Sequence, residues 1–224
     1  MSANFVHLRF HSEYSIQDGI VRLDPILEEA MEQGGVALGI TDSMNLFGAL
    51  RFYSHAIADG IKPIVGCDLW ITNAVHGKRD NPYRLTVYCQ NHEGYLSLCE
   101  LLSRGWMENQ YLGRGEVRLE WLTLENCKGL ICLSGGPQGV IEQHLLEDNK
   151  GEAQAVLEQL REAFPERFYL EVQRAGRKND EAVVAHIAEL AVETGLPMVA
   201  THPVQFLHRE DFNAHEVRCC IAGG

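Results

Sequence analysis

Short apolar runs rich in β-branched residues alternate with segments of helical periodicity along almost the whole chain. Seven runs have the length and composition of strands: 5–10 (FVHLRF), 36–41 (VALGIT), 62–71, 84–90 (RLTVYCQ), 129–134 (GLICLS), 168–173 (FYLEVQ) and 197–201 (PMVAT). Between most of them the apolar positions recur at helical spacing. In the first such segment Asp24 and Pro25 suit an N-cap and a first turn. Leu23, Ile26, Leu27, Ala30 and Met31 make its apolar stripe, and Gly34 ends it. Further amphipathic helices are predicted over 45–59, 93–104, 139–163 with a break near 149–151, and 180–194. The insertion over 104–127 departs from the alternation. Strands separated by helices predict an α/β fold on a parallel sheet, either closed as a barrel or open and doubly wound. No Pro/Ser-rich linker, repeat or low-complexity tract divides residues 1–224, so one domain is expected. The closing segment, REDFNAHEVRCCIAGG, has a helical pattern running to the terminus, as expected of a piece of a longer chain.

Composition narrows the classes. With 224 residues, 46% hydrophobic and 22% charged, the chain has the make-up of a folded water-soluble domain. No apolar run approaches the roughly 18 residues of a membrane span. The start, MSANFVHLRF, lacks the pattern of a signal peptide, so no membrane partner and a cytoplasmic location are expected. Seven cysteines without a Cys-x-x-Cys pair suggest neither a disulfide framework nor a zinc knuckle. Nineteen basic residues against 31 acidic give a net charge of −12, which opposes binding of a phosphate backbone by this chain alone.

Candidate chemistry starts at HLRFH. In a strand His7, Arg9 and His11 point the same way, and two imidazoles at a strand end commonly begin a metal site. The middle member, however, is a permanent cation. In α/β barrels chemistry gathers at the carboxyl ends of strands. Those positions here hold His11 with Asp18, Asp42-Ser43, Asp68, Gly135-Gly136 and His202-Pro203.

The segments FVHLRFHSEYSIQDG, GITDSMNLFGALRFY, GIKPIVGCDLW, LTVYCQNHEGYLSL, GLICLSGG, YLEVQRAG and DFNAHEVRCCI carry a family resemblance. In order and spacing they resemble the N-terminal polymerase and histidinol phosphatase (PHP) domain of the catalytic alpha subunit of bacterial replicative DNA polymerase III. The resemblance implies a distorted seven-stranded (β/α)7 barrel, with polymerase domains following after Gly224. Metal-binding members of the family gather nine ligands at the barrel mouth. Carried over, these fall on Arg9 (a His in the family), His11, Asp18, Ser43 (His), Asp68 (Glu), Arg84 (His), Gly136 (Cys), Pro203 (Asp) and Gln205 (His). Two are kept and one is conservative. Proline and glycine offer no side-chain donor, and arginine stays protonated. A vestigial pocket with no catalytic residue, metal or cofactor is therefore expected. His202 lies one residue from a lost ligand, and a shift of one turns a strand side chain to the opposite face.

Arg9 and Arg84 are expected to stand in for the lost cations by pairing with Asp18 and Asp68. Asp42 and Asn45 are expected to hold the second strand's loop through local hydrogen bonds. Arg174, Arg177 and Lys178 suit a solvated loop. The His215-Glu216 pair lacks a zincin's second His, and no Gly-x-Ser-x-Gly elbow occurs. The resemblance implies a non-catalytic module within a DNA-directed DNA polymerase, a nucleotidyltransferase acting in DNA replication. It would contact the remaining polymerase domains and dock the proofreading exonuclease subunit, with DNA held only by the missing domains. The alternatives are a residual metal-dependent phosphoesterase or pyrophosphatase, and a stand-alone histidinol phosphatase relative.

Overall fold

The computed structural model describes residues 5–75 and 77–223. The chain divides into two compact units, Met1–Cys67 with His202–Gly224, and Asp68–Thr201. Helix α1 (Leu23–Glu32) of the first unit buries Leu23, Ile26 and Leu27, the i, i+3, i+4 face its pattern predicts. Its cap differs from expectation. Arg22 takes the N-cap position, and Asp24 lies in the first turn. The Asp24 carboxylate faces helix α2 (Ala49–Ala58), accepting from Arg51 Nη2 at 3.1 Å and from His55 Nδ1 at 2.6 Å. Strand β1 (Ala37–Ile40) runs parallel to β2 (Lys62–Ile71), from Ala37 opposite Lys62 to Ile40 opposite Val65.

The run at 5–10 forms no continuous strand. It meets its neighbours through two parallel bridges, His7 with Leu38 and Phe10 with Val204. Its backbone lies hard against β1, because a Cβ added to Gly39 would sit 2.2 Å from the Leu8 carbonyl oxygen. Phe10, Leu27, Ile40 and Phe52 close the core beneath. Helix α7 (Phe212–Gly223) fulfils the closing pattern; Gly224 lies outside the described residues.

In the second unit β3 (Tyr83–Cys89) is antiparallel to β6 (Leu130–Leu133), and β6, β7 (Phe168–Gln173) and β8 (Met198–Thr201) run parallel. The expectation of a parallel sheet is thus corrected at the β3–β6 pairing. The strand order is β1-β2-β3-β6-β7-β8. Helix α3 (His92–Glu108) is capped by Asn91, whose side chain accepts from the Gly94 N–H at 3.0 Å. The insertion at 104–127 resolves into the end of α3, a hairpin of β4 (Gln110–Tyr111) and β5 (Arg114–Gly115), and a 3₁₀ turn at Leu119–Trp121. The predicted break separates α4 (Val140–Leu146) from α5 (Lys150–Ala163), with Asp148 in the left-handed region at φ 57°. Helix α6 (Asp180–Thr194) ends on Gly195, φ 70°. No helix among the described residues is long and apolar enough to cross a membrane.

Candidate functional site

The predicted pocket positions fall into two groups, one in each unit. In the first unit the chain turns sharply after Phe10, so that Ser12, Ser15 and Asp18 converge. The carboxylate of Asp18 accepts from His11 Nδ1 and Ser15 Oγ on Oδ1, each at 2.9 Å, and from the Gln205 side-chain amide on Oδ2, also at 2.9 Å. Gln205 is one of the positions expected in the pocket, and its amide donates to the carboxylate of another, Asp18. Asp42 accepts the Ser12 N–H and hydroxyl, both at 2.7 Å. It therefore ties a loop 30 residues away rather than its own, as local bonding would have required. Burial pushes the Asp42 carboxyl up to about 6, against the Ser12 hydrogen bonds that lower it. Asn45 bonds locally only in part, its amide donating to the nearby Ser43 carbonyl and to the Tyr14 carbonyl, 31 residues away, each at 3.0 Å.

Ser43 donates its own N–H to Ser15 Oγ at 3.1 Å, while its hydroxyl has no hydrogen-bond partner among the described residues. Arg9 is 3% exposed, so its head is withdrawn from bulk water. Pro203 sits half-buried beside His202, which lines a cavity of about 320 Å³ together with His7. Burial lowers the pKa of His7, and the neighbouring His202 lowers it further.

In the second unit Asp68 and Arg84 are buried and paired, Nη1 to Oδ2 at 3.2 Å. The Thr86 hydroxyl donates to Asp68 Oδ1 at 2.6 Å, and the Arg84 guanidinium stands 4.3 Å from the centre of the Trp70 ring. Gly135 and Gly136 both take left-handed φ, 101° and 60°. A Cβ at Gly136 would meet the Gln173 side chain at 3.1 Å. Gln173 therefore fills the space in which a larger residue at 136 would begin. It is held there by Glu171 Oε1 at 3.1 Å and Thr201 Oγ1 at 3.0 Å. Beside it Ser134 donates to Glu142 and accepts the Glu171 N–H at 2.8 Å, while burial drives the Glu142 carboxyl well above its ordinary range.

Ser12, Ser15, Thr86, Glu142 and Gln173 were not among the sequence candidates. Gln173 carried a usable signal, since it is the last residue of a strand. The Arg174 side chain pairs with Glu181 at 3.0 Å on the exposed surface, as a solvated loop would. Among the described residues, neither unit holds a group of three or more His, Cys, Asp or Glu side chains placed to bind a metal ion.

Comparison with known proteins defines the class. The chain belongs to the PHP domain family, whose model matches residues 7–175. Solved structures agree on the PHP-type α/β fold. An amidohydrolase from Chromobacterium violaceum superposes with a TM-score of 0.55 at 15% identity, over 96% of this chain and 97% of that one. A two-domain protein from Bacteroides vulgatus, containing a predicted PHP-like metal-dependent phosphoesterase, gives 0.53 at 14%, over 89% of this chain and 51% of that one.

Within the family the similarity is to the DNA polymerase III alpha subunit. The Pseudomonas aeruginosa subunit is 42% identical over 225 residues, 100% of this chain, and the Neisseria meningitidis subunit 44% over 222 residues, 98% of it. The chain spans 19% of the length of each of these relatives.

Proposed function

We propose that this chain is the N-terminal PHP module of a replicative DNA polymerase alpha subunit, and that it acts as a scaffold rather than a reaction centre. The observation that carries the proposal is the state of the two surviving acids. Asp68 is neutralised by Arg84 and held by Thr86; Asp18 is engaged by His11, Ser15 and Gln205. Carboxylates saturated in this way have little left to offer a cation. The rest of the donor set fits a multinuclear metal centre poorly, since Arg9, Arg84, Gly136 and Pro203 provide no side-chain lone pair for coordination. Arg9 serves, on this proposal, as the counter-charge for Asp18 that Arg84 is for Asp68. The module's partners are the other domains of the polymerase chain and the proofreading exonuclease subunit, contacts that suit an acidic domain better than DNA does.

The competing function is residual phosphoester hydrolysis, which needs an open position on a firmly held cation. Elemental analysis and a pyrophosphate and phosphoester assay with added manganese separate the two. The expected result is substoichiometric metal and no turnover above that of a His11→Ala, Asp18→Ala double variant. Metal-dependent turnover abolished by those changes would favour the enzyme. Co-elution of the chain with the exonuclease subunit tests the docking proposal.

A further inference from the structure

The His215-Glu216 pair on helix α7 lacks a zincin's second histidine, but the same position holds another metal-ligand type. The segment reads His-Glu-Val-Arg-Cys, which puts the Cys219 thiol four residues beyond the His215 imidazole. Residues at that spacing share one face of a helix. Sγ of Cys219 stands 3.5 Å from Nε2 of His215. On a tetrahedral zinc ion, sulfur at about 2.3 Å and nitrogen at about 2.05 Å are about 3.5 Å apart. One ion can therefore take both atoms with the side chains close to where they already lie.

The imidazole is aimed by packing. Its ring lies against Phe206, centres 5.4 Å apart, and Phe206 in turn meets Phe212 edge-on at 5.9 Å. Both His215 and Cys219 are half-buried, so water can reach an ion held between them. The surroundings of the thiol suit a cation. Burial, Asp18, Cys220 and Glu216 raise its pKa, while Arg218, which lowers it, directs its Nη2 to the Glu13 carbonyl at 3.4 Å. A thiol held up in this way is protonated at neutral pH and donates its S–H to a bare imidazole nitrogen, so the pair is no activated nucleophile.

We propose that His215 and Cys219 chelate a divalent cation of zinc's class, one that favours nitrogen and sulfur donors. Binding replaces the S–H bond by a sulfur–metal bond, and the displaced proton leaves to solvent. No third His, Cys, Asp or Glu completes the set among the described residues, so the remaining positions belong to water. Such an open, two-point site is of modest affinity, with a Kd of about 50 µM. An ion held so weakly is lost on desalting, in keeping with the substoichiometric metal expected above. None of the nine pocket positions is a ligand here, so this site stands or falls apart from theirs.

Titration of the reduced 224-residue chain with Cd²⁺, followed by sulfur-to-metal charge-transfer absorption in the ultraviolet, tests the proposal. The band is expected to reach half its height at about 50 µM Cd²⁺ and to be removed by excess Zn²⁺. Cys219→Ser should abolish it. His215→Phe keeps a ring against Phe206 but removes the nitrogen donor, and should weaken binding by at least about tenfold. Cys220→Ser removes the exposed neighbouring thiol and should leave the band unchanged. Circular dichroism verifies that the variants keep their helices. Absence of the band at about 1 mM Cd²⁺, a band as strong in Cys219→Ser as in the parent chain, undiminished affinity in His215→Phe, or loss of the band in Cys220→Ser would each overturn the proposal.

Discussion

At the scale of single residues, the Arg84–Asp68 pair sets the sharpest expectation. Both side chains are withdrawn from water, at 9% and 1% exposure, so removing one partner strands a charge that neither solvent nor salt can screen. Arg84→Met is expected to cost about 3–5 kcal/mol in urea unfolding. The double variant Arg84→Met, Asp68→Leu should regain most of that loss, and a double variant no more stable than the single one would contradict the account. Asp42 gives a pH signature. Its folded-state pKa is raised from 3.8 to about 6, so the native state binds the extra proton. Its contribution is complete below about pH 4 and is lost as pH rises through 6. Asp42→Asn, which mimics the protonated acid, should therefore be more damaging at pH 4 than at pH 7, measured as denaturation midpoints. His7 works the other way. A pKa held below 6.5 gives stability that is present above that pH and declines as pH falls.

At the scale of elements, the placement of His11 depends on how closely residues 7–10 approach β1. Isolated bridges at His7 and Phe10 hold that segment, and only glycine at 39 leaves room for the Leu8 carbonyl. Alanine at a strand position is ordinarily as good as glycine or better. Gly39→Ala is nevertheless expected to destabilise by about 2 kcal/mol or more, because a backbone carbonyl cannot rotate aside as a side chain can. Chemical denaturation checks the magnitude. A change within about 0.5 kcal/mol would show that the segment can shift without loss. Elements were legible where one face alone is buried: the stripes of α1 and α6 needed no partner to be recognised. The run at 5–10 forms isolated bridges in place of the strand its composition predicts, because hydrogen-bonding length is set by neighbours rather than by local composition. The direction of β3 was equally hidden, since a buried run such as RLTVYC reads the same parallel or antiparallel.

For the molecule as a whole, charge is the governing quantity. A net charge of −12 repels polyanions over a Debye length of about 8 Å at physiological salt. The chain is expected to give no change in fluorescence anisotropy with labelled single- or double-stranded DNA at about 0.15 M salt. Binding that weakens steeply with added salt would reveal a basic surface that the composition does not suggest. In the second unit Trp70, Tyr111 and Trp121 hold arginine guanidinium groups against the protein through their rings. Several of these cations also face carboxylates, as Arg114 faces Glu116 at 2.9 Å and Arg104 faces Glu108 at 3.1 Å.

The amino-acid sequence alone determined the alternation of strands and helices, the family, and the side-chain chemistry that is impossible at particular positions. Those properties follow from residue type and short-range order: proline at 203 has no donor in any fold, and arginine at 84 is charged in all of them. Tertiary structure alone decided what each survivor touches. Gln205 reaches Asp18 across 187 residues, and Thr86 finds Asp68 from a different strand. Gln173 fills the space above a glycine 37 positions earlier in the chain. Such contacts depend on strand order and backbone approach, which local sequence does not encode, and they tie these side chains into a hydrogen-bonded interior.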